Sequence, residues 1–146
     1  MKKAVIGFSL LALLGAVSTG ALAAEKAKAD DVPKLIITDI KVGTGAEAIA
    51  EKKLTVHYTG WVYDAKAKDH KGVKVQSSHD AQKPYKFDLA RRQAIDGWDE
   101  GLVGMKVGGV RNLIIPSKMG YGASGAGGIV PPNAALVFDV ELLKVE

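Results

Sequence analysis

The sequence predicts an α+β fold in which a twisted antiparallel β-sheet of about five strands wraps around one short α-helix. Three observations lead to this prediction. Several short segments alternate apolar and polar residues with the two-residue period of a strand, and Gly, Pro or Asp separates them. One segment alone carries the spacing of an amphipathic helix. No strand–helix–strand unit repeats along the chain, which favours an antiparallel sheet over a parallel one.

The N-terminal 23 residues have the pattern of a secretory signal peptide. A basic start, Met1-Lys2-Lys3, precedes an apolar run over residues 4–17, and Ala21-Leu22-Ala23 matches a cleavage site. The run is shorter than the ~20 residues of a spanning helix, and the sequence has no Cys to carry a lipoprotein anchor. We expect an exported chain with no membrane span after cleavage. The periplasm is the expected compartment, and the extracellular medium is the alternative.

The rest of the chain divides into a lead-in and one domain. Residues 24–33 are polar, lack apolar periodicity and end at Pro33, which predicts a flexible segment. The domain then spans residues 34–146, a size typical of one compact unit. Cleavage lowers the formal net charge from +4 to +2. The remaining lysines are scattered, so we expect no nucleic-acid partner, and a monomer is the default expectation.

Strand patterns occur in order along the domain. The segment 54–63 shows the alternation best, since Leu54, Val56 and Tyr58 fall on one face and Thr55 and His57 on the other. Turn residues or loops bound each segment. The predicted strands are 35–42, 54–63, 73–77, 85–87, 110–115 and 135–145, with loops over 64–72 and 117–134.

A single helix is predicted over residues 96–105. Trp98, Leu102 and Met105 recur at i, i+4 and i+7. Acidic residues in the first turn suit the helix dipole, and Gly108-Gly109 ends any continuation. Trp98 lies on the apolar side of this helix, so it is expected to point into the concave face of the sheet.

Two catalytic motifs fail on their structural context. Residues 120–125 match G-x-G-x-x-G, but the preceding strand stops at Pro116 and Pro131-Pro132 follows, so no helix can start there to bind a dinucleotide. The run Ser77-Ser78-His79-Asp80 contains the residue types of a hydrolase triad. Triad members converge through the fold instead of being chain neighbours, so this run is interpreted as a polar strand end and turn.

Metal chemistry is not indicated either. His57, His70 and His79 have no ligand spacing, and the sequence contains no Cys. We therefore expect no metal and no cofactor. The remaining chemistry is aromatic. Because Tyr and Trp carry polar tips that need partners, a cluster rich in them suits a cleft better than a sealed core. Six of the eight aromatic residues after residue 23 form this candidate cluster: Tyr58, Tyr85, Phe87, Trp98, Tyr121 and Phe138.

Four spans of the domain closely resemble FKBP-type peptidyl-prolyl isomerases. They are Val56-His57-Tyr58-Thr59-Gly60, Ala94-Ile95-Asp96-Gly97-Trp98-Asp99-Glu100-Gly101, Tyr121-Gly122-Ala123 and the long run over residues 129–142. The likeness extends from about Leu35 to Glu146. It implies the family's fold, a pocket between sheet and helix, isomerase activity, and proline-containing unfolded or folding polypeptides as substrates.

The resemblance also implies the site residues. Trp98 corresponds to the pocket floor, and the Ile95 backbone N–H and the Tyr121 hydroxyl correspond to donors to substrate carbonyls. The implied catalytic residues are Tyr58, Trp98, Tyr121 and Phe138. The implied substrate-binding residues are Val75, Gln76, Tyr85, Ile95, Ile129 and Val130.

Two departures from the family pattern leave alternatives open. The family usually has Phe-Asp where this chain has Val75-Gln76, and the segment 64–72 is longer than in minimal members. These differences predict reduced macrolide affinity. The Val75-Gln76 departure also motivates a weakly catalytic or non-catalytic proline-binding chaperone as an alternative, although the segment 64–72 is too short to be an inserted chaperone domain. A second alternative is an exported interaction protein that uses the fold as a scaffold. Retention of Trp98, Tyr58 and Tyr121 together argues against the scaffold.

Overall fold

The computed structural model describes residues 29–146. The predicted signal peptide and residues 24–28 of the predicted lead-in lie outside the described residues. The described chain forms six strands and one α-helix, and every strand pairing is antiparallel. This confirms the predicted α+β fold. The elements are β1 (Ile36–Lys41), β2 (Lys53–Tyr63), β3 (Lys71–Ser77), β4 (Tyr85–Asp88), α1 (Asp96–Gly101), β5 (Val110–Ile115) and β6 (Leu136–Val145).

The two longest strands form the centre of the sheet. The strand order is β1-β5-β6-β2-β3, and β4 pairs with the first part of β2. The register places Gly60 of β2 opposite Phe138 of β6, and Tyr58 opposite Val140. Tyr58 and Phe138, which are two residues apart in this register, therefore project from the same face of the sheet.

The predicted alternation determines which face of the sheet is buried. Leu54, Val56 and Tyr58 of β2 are buried, and Phe138 and Val140 of β6 join them in one core cluster. Trp98 of α1 belongs to the same cluster. The helix therefore covers the concave face, as the position of Trp98 on the apolar side of the helix predicted.

The helix is shorter than its hydrophobic spacing predicted. It ends at Gly101 and not at residue 105, although Leu102 and Met105 are both buried. The chain turns at Gly104, whose φ is +89°, and the Gly104 N–H donates to the carbonyl of Ala48 at 2.9 Å. A left-handed glycine with a tertiary hydrogen-bond partner ends the helix while the apolar side chains stay in the core.

Two glycines let α1 lie directly on β5. A Cβ at Gly97 would lie 2.5 Å from Cγ2 of Ile115, and a Cβ at Gly101 would lie 2.8 Å from Cδ2 of Leu113. Glycine is a poor helix former, so these two residues lower the helix propensity of α1 but allow it to pack closely against β5. This contact fixes the depth at which Trp98, between the two glycines, sits beneath the sheet.

Part of the predicted lead-in is attached to the domain. The Ala135 N–H donates to the carbonyl of Asp30 at 3.0 Å. The Asp31 carboxylate accepts hydrogen bonds from the Ser117 N–H at 2.8 Å and the Ser117 hydroxyl at 2.6 Å. Burial would raise the pKa of Asp31, but the Ser117 hydrogen bonds outweigh it and hold the pKa below its usual value. In residues 29–146 no helix has the length and apolar character needed to cross a membrane.

Candidate active site

A cavity of about 450 Å³ opens between the concave face of the sheet and the start of α1. Aromatic side chains supply most of its apolar wall, and the segment preceding α1 supplies a polar rim. Ten residues line it: Tyr58, Gln76, Tyr85, Arg92, Gln93, Ala94, Ile95, Trp98, Tyr121 and Phe138. A concave site that combines an aromatic wall with polar groups at its edge is the usual form of a small-ligand or peptide site.

Trp98 lies at the base of this cavity and is only 4% exposed. The Tyr58 ring meets it nearly at right angles, with centroids 5.0 Å apart. The Phe138 ring also meets it nearly at right angles, at 5.4 Å, and Phe87 and Tyr85 lie at 5.4 and 6.1 Å. Edge-to-face contacts at these distances are favourable, so four rings hold the indole in one orientation.

The indole contributes shape and apolar surface to the base of the cavity. Its Nε1 is buried, and its N–H donates a hydrogen bond to no acceptor within residues 29–146. A buried donor without a partner costs free energy. Because Trp98 occupies this position despite the cost of its unpaired N–H, we infer that the shape and area of its ring are needed to form the base of the cavity.

Tyr58 is held in the cavity wall through its own backbone. The Tyr58 N–H donates to the Ser78 hydroxyl at 2.8 Å, and that hydroxyl also lies 2.8 Å from Nδ1 of His57. Burial raises the pKa of the Tyr58 phenol, and the neighbouring Tyr85 and Tyr121 raise it further. The phenol therefore stays neutral and able to donate a hydrogen bond throughout the neutral pH range.

The triad-like run at residues 77–80 has a structural role in this arrangement. Ser78 bonds to His57 and to the Tyr58 backbone, while Asp80 forms an ion pair with Lys74 at 2.7 Å. The His57 and His79 rings stack with centroids 4.2 Å apart. The segment thus forms the polar turn that was predicted, and it supports the wall that carries Tyr58.

The Ile95 N–H and the Tyr121 hydroxyl are among the hydrogen-bond donors at the cavity that are free to meet a ligand. The Ile95 N–H donates to no acceptor within residues 29–146, although the Ile95 carbonyl accepts from Trp98 and Asp99 at the start of α1. Tyr121 lies across the cavity, 42% exposed, and its hydroxyl bonds to no other described residue. Both groups can therefore donate to the carbonyl oxygens of a bound peptide.

The structure places seven of the ten predicted site residues on the cavity and three outside its lining. Val75 packs, partly buried, against the core. Val130 is 3% exposed and exchanges two backbone hydrogen bonds with Ala126, while Ile129 is 51% exposed. Whether these three contact substrate stays a prediction. The seven on the cavity are Tyr58, Gln76, Tyr85, Ile95, Trp98, Tyr121 and Phe138.

Sequence reasoning missed the residues immediately before the helix. Arg92, Gln93 and Ala94 line the cavity. The Asp99 carboxylate accepts from the Ala90 N–H at 2.9 Å and the Arg92 N–H at 3.1 Å, which holds this segment at the rim. Arg92 adopts a positive φ of 59°. The only signal in the sequence was the motif that contains Trp98, which begins at Ala94 and directly follows Arg92 and Gln93.

Comparisons with known proteins agree with this geometry. The family model for FKBP-type peptidyl-prolyl cis-trans isomerases matches residues 45–143. An FK506-binding protein of Neisseria meningitidis serogroup B is 54% identical over 111 residues, which cover 76% of this chain and 95% of that protein. The peptidyl-prolyl cis-trans isomerase Fkbp12 of Drosophila melanogaster is 46% identical over 95 residues, covering 65% and 82%.

A solved structure gives the same result for the fold. The crystal structure of AtFKBP13 is similar to this chain with a TM-score of 0.66 and 32% sequence identity, covering 77% of this chain and 93% of that one. All ten residues that line the cavity, and the helix α1, lie within the residues that the family model matches. The chain therefore belongs to the family of FKBP-type peptidyl-prolyl cis-trans isomerases and is an isomerase.

Proposed function

We propose that this chain accelerates the rotation of X–Pro peptide bonds in exported polypeptides while they fold, and that the cavity above Trp98 holds the twisted amide. One observation carries the proposal: a buried indole surrounded by four rings forms a dry base directly beside the unpaired N–H of Ile95. Apolar surface and a free donor are what a twisted amide needs.

The reaction requires no nucleophile. Amide resonance gives the X–Pro bond a rotational barrier of ~18–20 kcal/mol, and uncatalysed isomerisation takes ~10–100 s at room temperature. No covalent bond breaks, so the enzyme has only to bind the twisted amide more tightly than either planar form. An acceleration of ~10⁴- to 10⁶-fold corresponds to roughly 5.5–8 kcal/mol.

The residues of the cavity can supply that difference. Twisting removes resonance and makes the amide less polar, so the apolar surfaces of Trp98, Tyr58 and Phe138 disfavour the planar forms more than the twisted one. The Ile95 N–H and the Tyr121 hydroxyl are placed to donate to carbonyls of the substrate, including the one displaced by rotation. No proton transfer is needed at any stage.

Substrate and compartment follow from the same reasoning. The predicted signal peptide supports action on proline-containing polypeptides after export, in the periplasm or the extracellular medium. The Neisseria relative is named an FK506-binding protein, and FK506 is a macrolide, which supports macrolide binding by this chain as well. Gln76 lines the cavity at a position where the family usually has an acid, which supports a reduced macrolide affinity.

The test is a direct isomerase measurement on the exported protein. The full chain is expressed with its own N-terminus, recovered from the exported fraction and weighed by mass spectrometry; cleavage after Ala23 predicts a chain beginning at Ala24. Proline tetrapeptides with varied residues before proline are then followed by exchange NMR. Catalysis well above the uncatalysed rate is expected. Suppression of protein aggregation without catalysis would favour the proline-binding chaperone, the alternative that the Val75-Gln76 departure motivates.

The pH dependence of catalysis follows from the state of Tyr58. Its folded-state pKa is raised above the ordinary value of about 10, so the neutral phenol is fully present below that value and is lost only as the pH rises beyond it. We expect kcat/KM to be constant from about pH 7.5 to about 9.5 and to fall above about 10. A decline centred near pH 8.5 would contradict a neutral, buried Tyr58 phenol.

A further inference from the structure

A second cavity continues from the one above Trp98. It has a volume of about 780 Å³ and shares Tyr58, Gln76 and Tyr85 with the first. The rest of its lining comes from residues 77–86, the turn between β3 and β4 together with the start of β4. We call this second cavity the lysine groove, after Lys83 and Lys86 in its lining. A peptide whose proline occupies the first cavity has this groove directly beside it.

The charged residues of the two cavities all carry the same sign. Lys83 and Lys86 line the lysine groove, and Arg92 lines the cavity above Trp98. No Asp or Glu of the described chain lines either cavity. Gln76, which lies on the wall between them, is neutral where the family usually has an acid.

Three acidic residues close in sequence to Lys83, Lys86 and Arg92 are engaged elsewhere. Asp80 is paired with Lys74 at 2.7 Å, and Asp88 is paired with Lys53 at 3.2 Å. Asp99 accepts two backbone N–H bonds at the rim. In contrast, no carboxylate of residues 29–146 lies within 4.0 Å of the side chain of Lys83, Lys86 or Arg92. Asp96, four residues after Arg92, is exposed and forms no ion pair within residues 29–146, but it lines neither cavity.

We propose that Lys83, Lys86 and Arg92 make the enzyme selective for prolines flanked by acidic side chains, with an Asp or Glu near the proline lying against the lysine groove. This inference rests on the proposed function, because it names the substrate class of the same site. Three unpaired cations without a facing acid attract a carboxylate, and like-signed charges on the substrate are disfavoured.

The size of the effect is that of exposed ion pairs. Lys83, Lys86 and Arg92 are all exposed, so each contact with a substrate carboxylate is weak on its own and is screened by salt. Two such contacts acting together give about a 3- to 10-fold preference at low ionic strength. The preference is expected in kcat/KM, where attraction to the site contributes directly.

The experiment compares matched peptides. Acetylated proline peptides carry a single Glu, Gln or Lys at each of the three positions on either side of the proline, and exchange NMR gives kcat/KM for the exported full chain. The Glu/Gln ratio should be about 3 to 10 at one or more of these positions at about 0.01 M salt. It should approach 1 at about 1 M salt, where the screening length falls from about 30 Å to about 3 Å. The Lys/Gln ratio should lie below 1.

Charge-neutralising variants assign the effect to the groove. Lys83→Gln, Lys86→Gln and Arg92→Gln should each lower the Glu/Gln ratio, the triple variant should bring it near 1, and Gln76→Asp should lower it as well. Lys41→Gln is the matched control, because it removes the same charge from β1 at the far edge of the sheet; its ratio should equal that of the wild type. Circular dichroism confirms that each variant is folded.

The outcomes separate the two proposals. If no proline peptide is turned over, the proposed function fails. If all peptides are turned over with Glu/Gln ratios of 1, or if Lys41→Gln lowers the ratio as much as Lys83→Gln does, the isomerase function stands and the acidic selectivity is overturned.

Discussion

Trp98→Ala is expected to lower kcat/KM for proline peptides by on the order of 100-fold. The substitution removes the base of the cavity, so the proline ring would no longer be held against a dry surface beside the Ile95 N–H. Because Trp98 is only 4% exposed and contacts four rings, its truncation should also destabilise the domain by about 3–5 kcal/mol. Urea denaturation and exchange NMR measure the two effects separately.

Trp98→Phe is the matched control for that experiment. Since no acceptor within the described residues takes the Trp98 Nε1 proton, Phe at this position removes ring area but no hydrogen bond. It should keep most of the stability and a larger share of the activity than Ala does. Unchanged turnover in a folded Trp98→Ala variant would show that catalysis does not occur above this residue.

Gly60→Ala is expected to damage the cavity from its opposite wall. Gly60 lies directly across from Phe138 in the β2–β6 register, and a Cβ at this position would lie 2.4 Å from Cε1 of the Phe138 ring. The ring is packed against Tyr58 and Trp98, so it has to move out of the wall. We expect a loss of about 1–3 kcal/mol in the free energy of unfolding and at least a tenfold drop in kcat/KM (about one decade, as for other sub-ångström displacements in sites).

A double variant distinguishes this clash from an effect on the strand itself. Phe138→Leu shortens the side chain that the new methyl group would meet. Gly60→Ala should therefore destabilise the Phe138→Leu background much less than the wild type, which a double-mutant cycle measures as a coupling energy. Equal destabilisation in both backgrounds would assign the effect to β2 and not to the contact with Phe138.

The sequence predicted best those features that depend on periodicity. The alternation in β2 and β6 identified the buried face, and the resemblance around Trp98 identified the base of the cavity. The end of α1 was predicted wrongly, because Leu102 and Met105 keep helical spacing although Gly104 has already turned the chain. Hydrophobic spacing predicts which residues are buried. It does not predict where a helix ends when the end depends on a tertiary hydrogen bond, such as the one to the Ala48 carbonyl.

The rim of the cavity was the least predictable part of the site. Arg92 and Gln93 reach it because the Asp99 carboxylate holds the backbone around Arg92, a contact that no local pattern reveals. Val130 lies outside the lining of the cavity: the resemblance implied a substrate-binding residue, and the structure shows its side chain only 3% exposed in the core cluster, so its contact with substrate stays a prediction. Loop positions depend on where a turn directs each side chain, and sequence spacing alone does not specify that.

The attachment of Asp31 to Ser117 bears on where the domain can be cut for expression. Ser117 begins the loop that carries Tyr121 at the cavity. A recombinant protein that starts at residue 34, the boundary suggested by composition, would lack the hydrogen bonds between Asp31 and Ser117 that hold this loop. A tag fused at residue 34 would replace the segment that hydrogen-bonds to the domain through Asp30 and Asp31. Proteins that start at or before residue 29 keep the hydrogen bonds between Asp31 and Ser117. Kinetic comparisons among relatives are best made on proteins that retain the corresponding segment.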